Sequence, residues 1–189
     1  MVSEIILSKY LILFVIIFTA RNIIDLLINP RKNPYAKGKR GKVSLLVLVG
    51  SFIVSGISVA YYLMFVGNTN LYSYCAGLIL MIAGYLGRRV AIRTLGKSYN
   101  YAIEVSPEHE LVTSGVYSVI RHPIYLFYMI EMIALVFIKF NYISLTALIA
   151  VILATLYRVE KEDQLLLTVF KERFETYSGR TKRLIPFIY

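Results

Sequence analysis

The chain has 189 residues, 58% of them hydrophobic, and a formal net charge of +10. Its apolar residues fall in long runs instead of the short amphipathic periods of a soluble core, which argues against a water-soluble domain and for an integral membrane protein. The basic residues flank those runs and form no separate basic domain, so attraction to anionic lipid headgroups explains the charge better than nucleic acid does.

Five apolar segments are readable, at roughly 5 to 28, 43 to 66, 71 to 87, 123 to 138 and 142 to 157. They predict an all-α integral membrane protein with about five transmembrane helices. The first two are long enough for a hydrocarbon core about 30 Å thick, which takes roughly 20 helical residues. The last three are short, and the fourth and fifth read as a tight or partly re-entrant hairpin. The first segment is too long for a signal-peptide core and is followed by no small-residue cleavage pattern, so it reads as a mature helix. Arg21 and Asp25, four apart at its inner end, suit an interfacial ion pair. Asn29-Pro30 and Asn33-Pro34 then break the chain. Cys75 is the only cysteine, which rules out an intrachain disulfide. Residues 1–87 thus read as helical scaffold and 88–189 as the catalytic part of one membrane-embedded domain, 1–189.

Loops 29–42 and 88–122 and the tail from Arg158 hold 18 of the 21 basic residues. Cytoplasmic loops collect Lys and Arg, so the N-terminus is expected outside and the C-terminus in the cytosol. Residues 88–122 and 158–189 share that cytosolic face and are expected to meet over the hairpin between them. In the second of these, Leu166, Phe170, Phe174 and Tyr177 form an apolar helical stripe at i, i+4, i+8 and i+11.

The candidate chemistry is concentrated in residues 109–125, where a polar loop enters an apolar helix. Pro123 suits the first turn of a helix and pushes His122 toward extended backbone. His122 therefore stands at a helix N-terminus, where free N–H groups favour a carboxylate or phosphate, and Arg121 strengthens that preference. The plainer alternative is that Arg121 and His122 mark the headgroup boundary. Arg158 and Glu162, four apart, share a helix face and either pair or point together into a cleft. Glu131, about two turns into the fourth segment, is an acid at membrane depth and suits a substrate pocket or a structural hydrogen bond equally. One cysteine and two histidines supply no Cys/His zinc site, so no metal is expected. Dinucleotide-binding, Walker A and Gly-x-Ser-x-Gly motifs are absent.

Taken in order, HELVTSGVYSVIRHPIY, RVEKEDQLLL and a tail carrying RLIP resemble the isoprenylcysteine carboxyl methyltransferase family and, more broadly, membrane phospholipid N-methyltransferases. The resemblance covers about residues 94–189. It implies S-adenosylmethionine as cofactor, in a pocket capping the cytosolic ends of the last helices. By position, His109, Glu110, Leu111, Val112 and Tyr117 would line it, with Arg121, His122, Pro123, Ile124 and Tyr125. Glu162 would close the pocket, and Arg158 would serve the substrate and catalysis. A carboxylate acceptor needs no general base and can be held bidentately by Arg158, whereas a lipid ammonium must first lose a proton, for which Glu131 or Glu162 would be candidates. The implied partner is a lipophilic or prenylated substrate among membrane lipids, with a prenylcysteine-like carboxylate leading. A phospholipid amine is the alternative acceptor. A sterol-reductase-like enzyme using NADPH and a noncatalytic lipid-binding scaffold are the other classes. Two departures stand out: Glu162-Asp163 replaces the family's paired glutamates, and Phe170-Lys171 replaces its common Phe-Gly.

Overall fold

The computed structural model describes residues 16, 42–64, 70–99, 110–138, 140–186 and 188. The first apolar segment, with Arg21, Asp25 and the two Asn-Pro breaks, lies outside them apart from residue 16, and so does His109. Among the described residues the fold is helical with no strand: α1 Lys42–Met64, α2 Leu71–Leu95, α3 Pro123–Ile138, α4 Tyr142–Phe170 and α5 Glu172–Arg180, with short 3-10 turns at Gly96–Ser98 and Gly115–Ser118.

Local signals set most of the helix ends. Asn70 caps α2 by accepting from the Tyr72 backbone N–H at 2.9 Å, and Gly96 ends it at a φ of 54°. Pro123 opens α3, where its missing donor is harmless. Asn141 caps α4 by accepting from the Ser144 N–H at 2.8 Å.

Two apolar seams hold the bundle. The buried residues of α2 are Tyr74, Gly77, Met81, Gly84, Arg88 and Ala91, an alternation of threes and fours that keeps one narrow stripe against a partner helix. That partner is α3, which buries Tyr128, Glu131, Leu135 and Ile138 at matching intervals. A Cβ on Gly84 would sit 2.8 Å from Glu131 Cγ and 3.0 Å from the Phe127 carbonyl oxygen, so the two backbones approach where only glycine fits. The second seam runs along α4 through Ser144, Leu148, Val151, Thr155 and Arg158, facing α1 near Gly50 and Ser58.

The helices outrun the apolar segments read from sequence. α2 continues eight residues past 87, so Arg88, Arg89 and Arg93 are helical and not part of a loop. α4 runs unbroken to Phe170, about 43 Å at 1.5 Å per residue, and carries Arg158 and Glu162 on a rigid extension of the apolar span. The expected stripe from Leu166 to Tyr177 is not one helix face, because Lys171, at a φ of 47°, separates α4 from α5. Phe174 and Tyr177 are buried, but on the short α5. Among the described residues, the helices beginning at Leu71 and Tyr142 are long and apolar enough to cross a membrane, whereas the 16 residues of α3 reach only about 24 Å.

Candidate active site

The loop before α3, the polar half of α4, α5 and the C-terminal tail converge at one end of the bundle. Gly115, at a φ of 59°, starts the 3-10 turn that brings the loop against Thr94 at the end of α2. The Glu110 N–H donates to Ser98 Oγ at 3.3 Å, tying the same loop to the turn that follows α2. Tyr177 of α5 donates its hydroxyl to the Tyr117 carbonyl at 2.7 Å.

The tail is stitched alongside the loop in a short parallel pairing between Ile120 and Lys182. Arg121 N–H donates to the Lys182 carbonyl at 2.8 Å, His122 N–H to the Arg183 carbonyl at 3.0 Å, and Lys182 N–H to the Val119 carbonyl at 3.2 Å. The motifs RHP and RLIP are therefore paired through their backbones.

Asp163 is the hub beneath this pairing. Its carboxylate accepts from His122 Nε2 at 2.7 Å and from Arg183 Nε at 2.9 Å, with Arg121 Nε 3.7 Å away. The Asp163 carboxylate thus reaches its partners directly. Arg121 also donates from Nη1 to the carbonyls of Ser178, at 2.8 Å, and Thr181. Nη1 of Arg121, expected from sequence to favour an anion at the start of α3, is thus engaged with α5 and the tail.

Glu162, on the neighbouring α4 position, faces a different set of groups. Tyr125 donates its hydroxyl to Glu162 Oε2 at 2.6 Å and accepts from Arg158 Nε, also at 2.6 Å. The Arg158 guanidinium carbon lies 5.4 Å from the Tyr125 ring centroid, within cation–π range. His122 Nδ1 is 3.9 Å from Glu162 Oε1, so the imidazole stands between the two acids. Arg158 and Glu162 do share a face, as their spacing predicts, but Tyr125 is inserted between them.

Tyr117 completes the cluster. It is 5% exposed, and its hydroxyl has no hydrogen-bond partner among the described residues. Burial foremost, then the charge of Glu162 and the phenols of Tyr177 and Tyr99, holds its pKa far above that of an ordinary phenol. It remains a neutral donor at physiological pH.

The remaining candidates lie at the margins or elsewhere. Glu110 is exposed, Leu111, Val112 and Ile124 are half-buried, and Pro123 is fully buried under the turn. Glu131 is fully buried in the α2–α3 seam, 3.1 Å from Arg88 Nε, so it has a structural partner within the apolar bundle. Asp163 and Arg183 were not among the site residues expected from sequence. Asp163 adjoins Glu162, and that adjacency, which lets one helical turn face two neighbours, was the available signal. Arg183 offered none beyond the tail motif.

The arrangement supplies a carboxylate, an aromatic ring and a buried arginine joined by hydrogen bonds, with the buried Tyr117 hydroxyl, a donor without a partner among the described residues, in the same region. Chemically, Glu162 suits a cationic or hydroxyl-bearing group and Arg158 an anion.

Residues 77–168 match the model of the isoprenylcysteine carboxyl methyltransferase (ICMT) family. Among curated proteins, the chain is 32% identical over 115 residues to protein-S-isoprenylcysteine O-methyltransferase B of Arabidopsis thaliana, covering 59% of this chain and 58% of that protein. The Saccharomyces cerevisiae protein-S-isoprenylcysteine O-methyltransferase is 32% identical over 115 residues, 59% of this chain and 48% of that one. The Rattus norvegicus protein of the same name is 34% identical over 116 residues, covering 60% and 41%. The chain spans about half the length of the curated relatives it matches. The solved structure of the eukaryotic intramembrane Ras methyltransferase ICMT aligns with a TM-score of 0.60 and 25% identity over 87% of this chain and 60% of that one.

Proposed function

We propose that this chain, whose residues 77–168 match the isoprenylcysteine carboxyl methyltransferase family, transfers a methyl group from S-adenosylmethionine to the carboxylate of a lipophilic, prenylcysteine-like acceptor. The observation that carries this reading is the Arg158–Tyr125–Glu162 line at the junction of an apolar span and its polar extension. An arginine buried to 4% exposure binds a carboxylate more firmly than a solvated one would, because little water competes. Its position where α4 leaves its apolar part suits an acceptor whose lipid chain stays in the bilayer.

The cofactor's bound chemistry is an electrophilic methyl on a sulfonium. The residues here fit such a group: Glu162 is available to an ammonium or ribose hydroxyl, Tyr117 offers its unpartnered hydroxyl, and the tyrosine rings present faces to a cation. His122 is oriented by Asp163 and holds the loop's position against α4. Glu110, held to Ser98 by its backbone, is read with His109, Leu111 and Val112 as lining the cofactor. The acceptor carboxylate needs no proton removed before attack, so Arg158 positions it and excludes water, and no general base is required. Glu131 is then a bundle residue, consistent with its pairing to Arg88. The site end is read as cytosolic and the N-terminus as outside, because the basic residues gather at that end.

The test uses the full chain in lipid vesicles, supplied with methyl-labelled S-adenosylmethionine and an N-acetylated farnesylcysteine. The expected product releases labelled methanol on mild base treatment, as an ester does. Glu162→Ala should weaken S-adenosylhomocysteine binding in calorimetry, and Arg158→Ala should mainly lower turnover. A base-stable N-methyl product, or tight NADPH binding without S-adenosylhomocysteine binding, would overturn the reading.

A further inference from the structure

We propose that Tyr125 is a positioning residue whose hydroxyl ties the acceptor-binding arginine to the cofactor-binding acid, so that the two subsites are set by one hydrogen-bonded unit. The inference rests on the roles proposed above for Arg158 and Glu162. Tyr125 uses both capacities of its hydroxyl, accepting from Arg158 Nε at 2.6 Å and donating to Glu162 Oε2 at 2.6 Å. Each bond has one ionised member, which makes it stronger than a bond between neutral groups. The chain cation–hydroxyl–carboxylate is moreover aligned so that each bond polarises the next.

The geometry fixes orientation as well as distance. An arginine side chain has several rotatable bonds, and its planar fork must face a carboxylate squarely to bind it through two nitrogens. Holding Nε on the Tyr125 hydroxyl, with the guanidinium 5.4 Å from the ring centroid, restricts the orientations open to the fork. The backbone that carries the ring is fixed at the start of its helix. Its helix starts at Pro123 immediately after the backbone pairing with the tail, and the Tyr125 N–H closes the first turn on the His122 carbonyl at 3.1 Å. The tail pairing, the start of α3 and the acceptor arginine are therefore linked through one aromatic side chain. Arg158 and Glu162 are only one turn apart on α4, and without the intervening hydroxyl they would meet directly, neutralising the carboxylate and turning the fork toward it.

The test combines a structural readout with a double-mutant cycle on the full chain in lipid nanodiscs. In protein labelled with 15N-arginine, the Arg158 Nε–H, assigned by its absence from Arg158→Lys, should exchange slowly with solvent and should exchange at least about tenfold faster in Tyr125→Phe, which keeps the ring but loses the hydroxyl. Calorimetry with S-adenosylhomocysteine should show Tyr125→Phe weakening binding in the parent chain but by less than about twofold in Glu162→Gln. With N-acetylated farnesylcysteine as acceptor, Tyr125→Phe should lower kcat more than it raises KM, by about tenfold or more in kcat/KM, and should add less than about twofold in Arg158→Lys, whose amine has no Nε to hold. Equal losses in parent and variant backgrounds, or an unchanged Nε–H exchange rate, would overturn the proposal. Failure of the parent chain to bind S-adenosylhomocysteine would instead overturn the functional reading and with it the coupling, while the arginine signal would still report whether the tie exists.

Discussion

Asp163→Asn is the sharpest perturbation of the site's framework, because it removes one charge while keeping the side chain's volume. Asn retains one acceptor oxygen, but its amide group then faces donors on His122, Arg183 or Arg121, so at least one present bond becomes a donor–donor contact. A hydrogen bond to a charged group contributes about 1.5–3 kcal/mol. The Arg183 side chain is 36% exposed, so water screens its share, whereas the His122 side chain is only 2% exposed and feels nearly the full effect. The combined loss is then about 2–3 kcal/mol, or roughly 30- to 150-fold in the equilibrium for local opening. The affected element is the parallel pairing of loop and tail, whose reporters are the amides of Arg121, His122 and Lys182. Hydrogen exchange at those amides should accelerate by that factor, while amides in the α2–α3 seam keep their protection. Wild-type protection at all three amides in the variant would refute the view that Asp163 holds the tail.

Lys171→Gly should stabilise the chain, because Lys171 lies at φ 47° and ψ −124°, where a side chain is strained; relief of about 1–2 kcal/mol corresponds to a rise in Tm of a few degrees, and an unchanged or lower Tm would remove the strain argument. Gly84→Val should part α2 from α3, since its Cβ would press on the Phe127 carbonyl as well as on Glu131, and a loss of about 1–3 kcal/mol should appear as a lower melting temperature in detergent. Tyr117→Phe should leave stability within about 0.5 kcal/mol, because its hydroxyl has no partner to lose among the described residues, yet weaken S-adenosylhomocysteine binding by about tenfold in calorimetry; the reverse pattern would make the hydroxyl structural. Glu131→Gln should cost about 3–5 kcal/mol by leaving the Arg88 charge buried without its counter-ion, while the folded fraction keeps its kcat toward a carboxylate acceptor; a folded but inactive variant would restore a catalytic role to Glu131.

What was legible in the sequence follows from the range of the physical signals involved. Pro123 marked the start of α3 and the apolar runs marked the bundle, because both act within a few residues. Arg88 misled the reading of α2: a basic residue usually ends an apolar span, but here it occupies the next position of the seam after Gly84 and is neutralised by Glu131 on another helix. Periodicity carried through the charged residues would have exposed this, since 74, 77, 81, 84, 88 and 91 keep one stripe, as do 144, 148, 151, 155 and 158 on α4. The spacing of Arg158 and Glu162 correctly put them on one face, yet it could not reveal Tyr125 between them, which comes from 33 residues earlier than Arg158. The pairing of Arg121 and His122 with Lys182 and Arg183 was illegible for a deeper reason: backbone groups are the same in every residue, so a pairing made only through them leaves no side-chain pattern to read. The same independence from side chains means that the tail's grip on the site depends on its side-chain anchor at Asp163, where sequence does have a say.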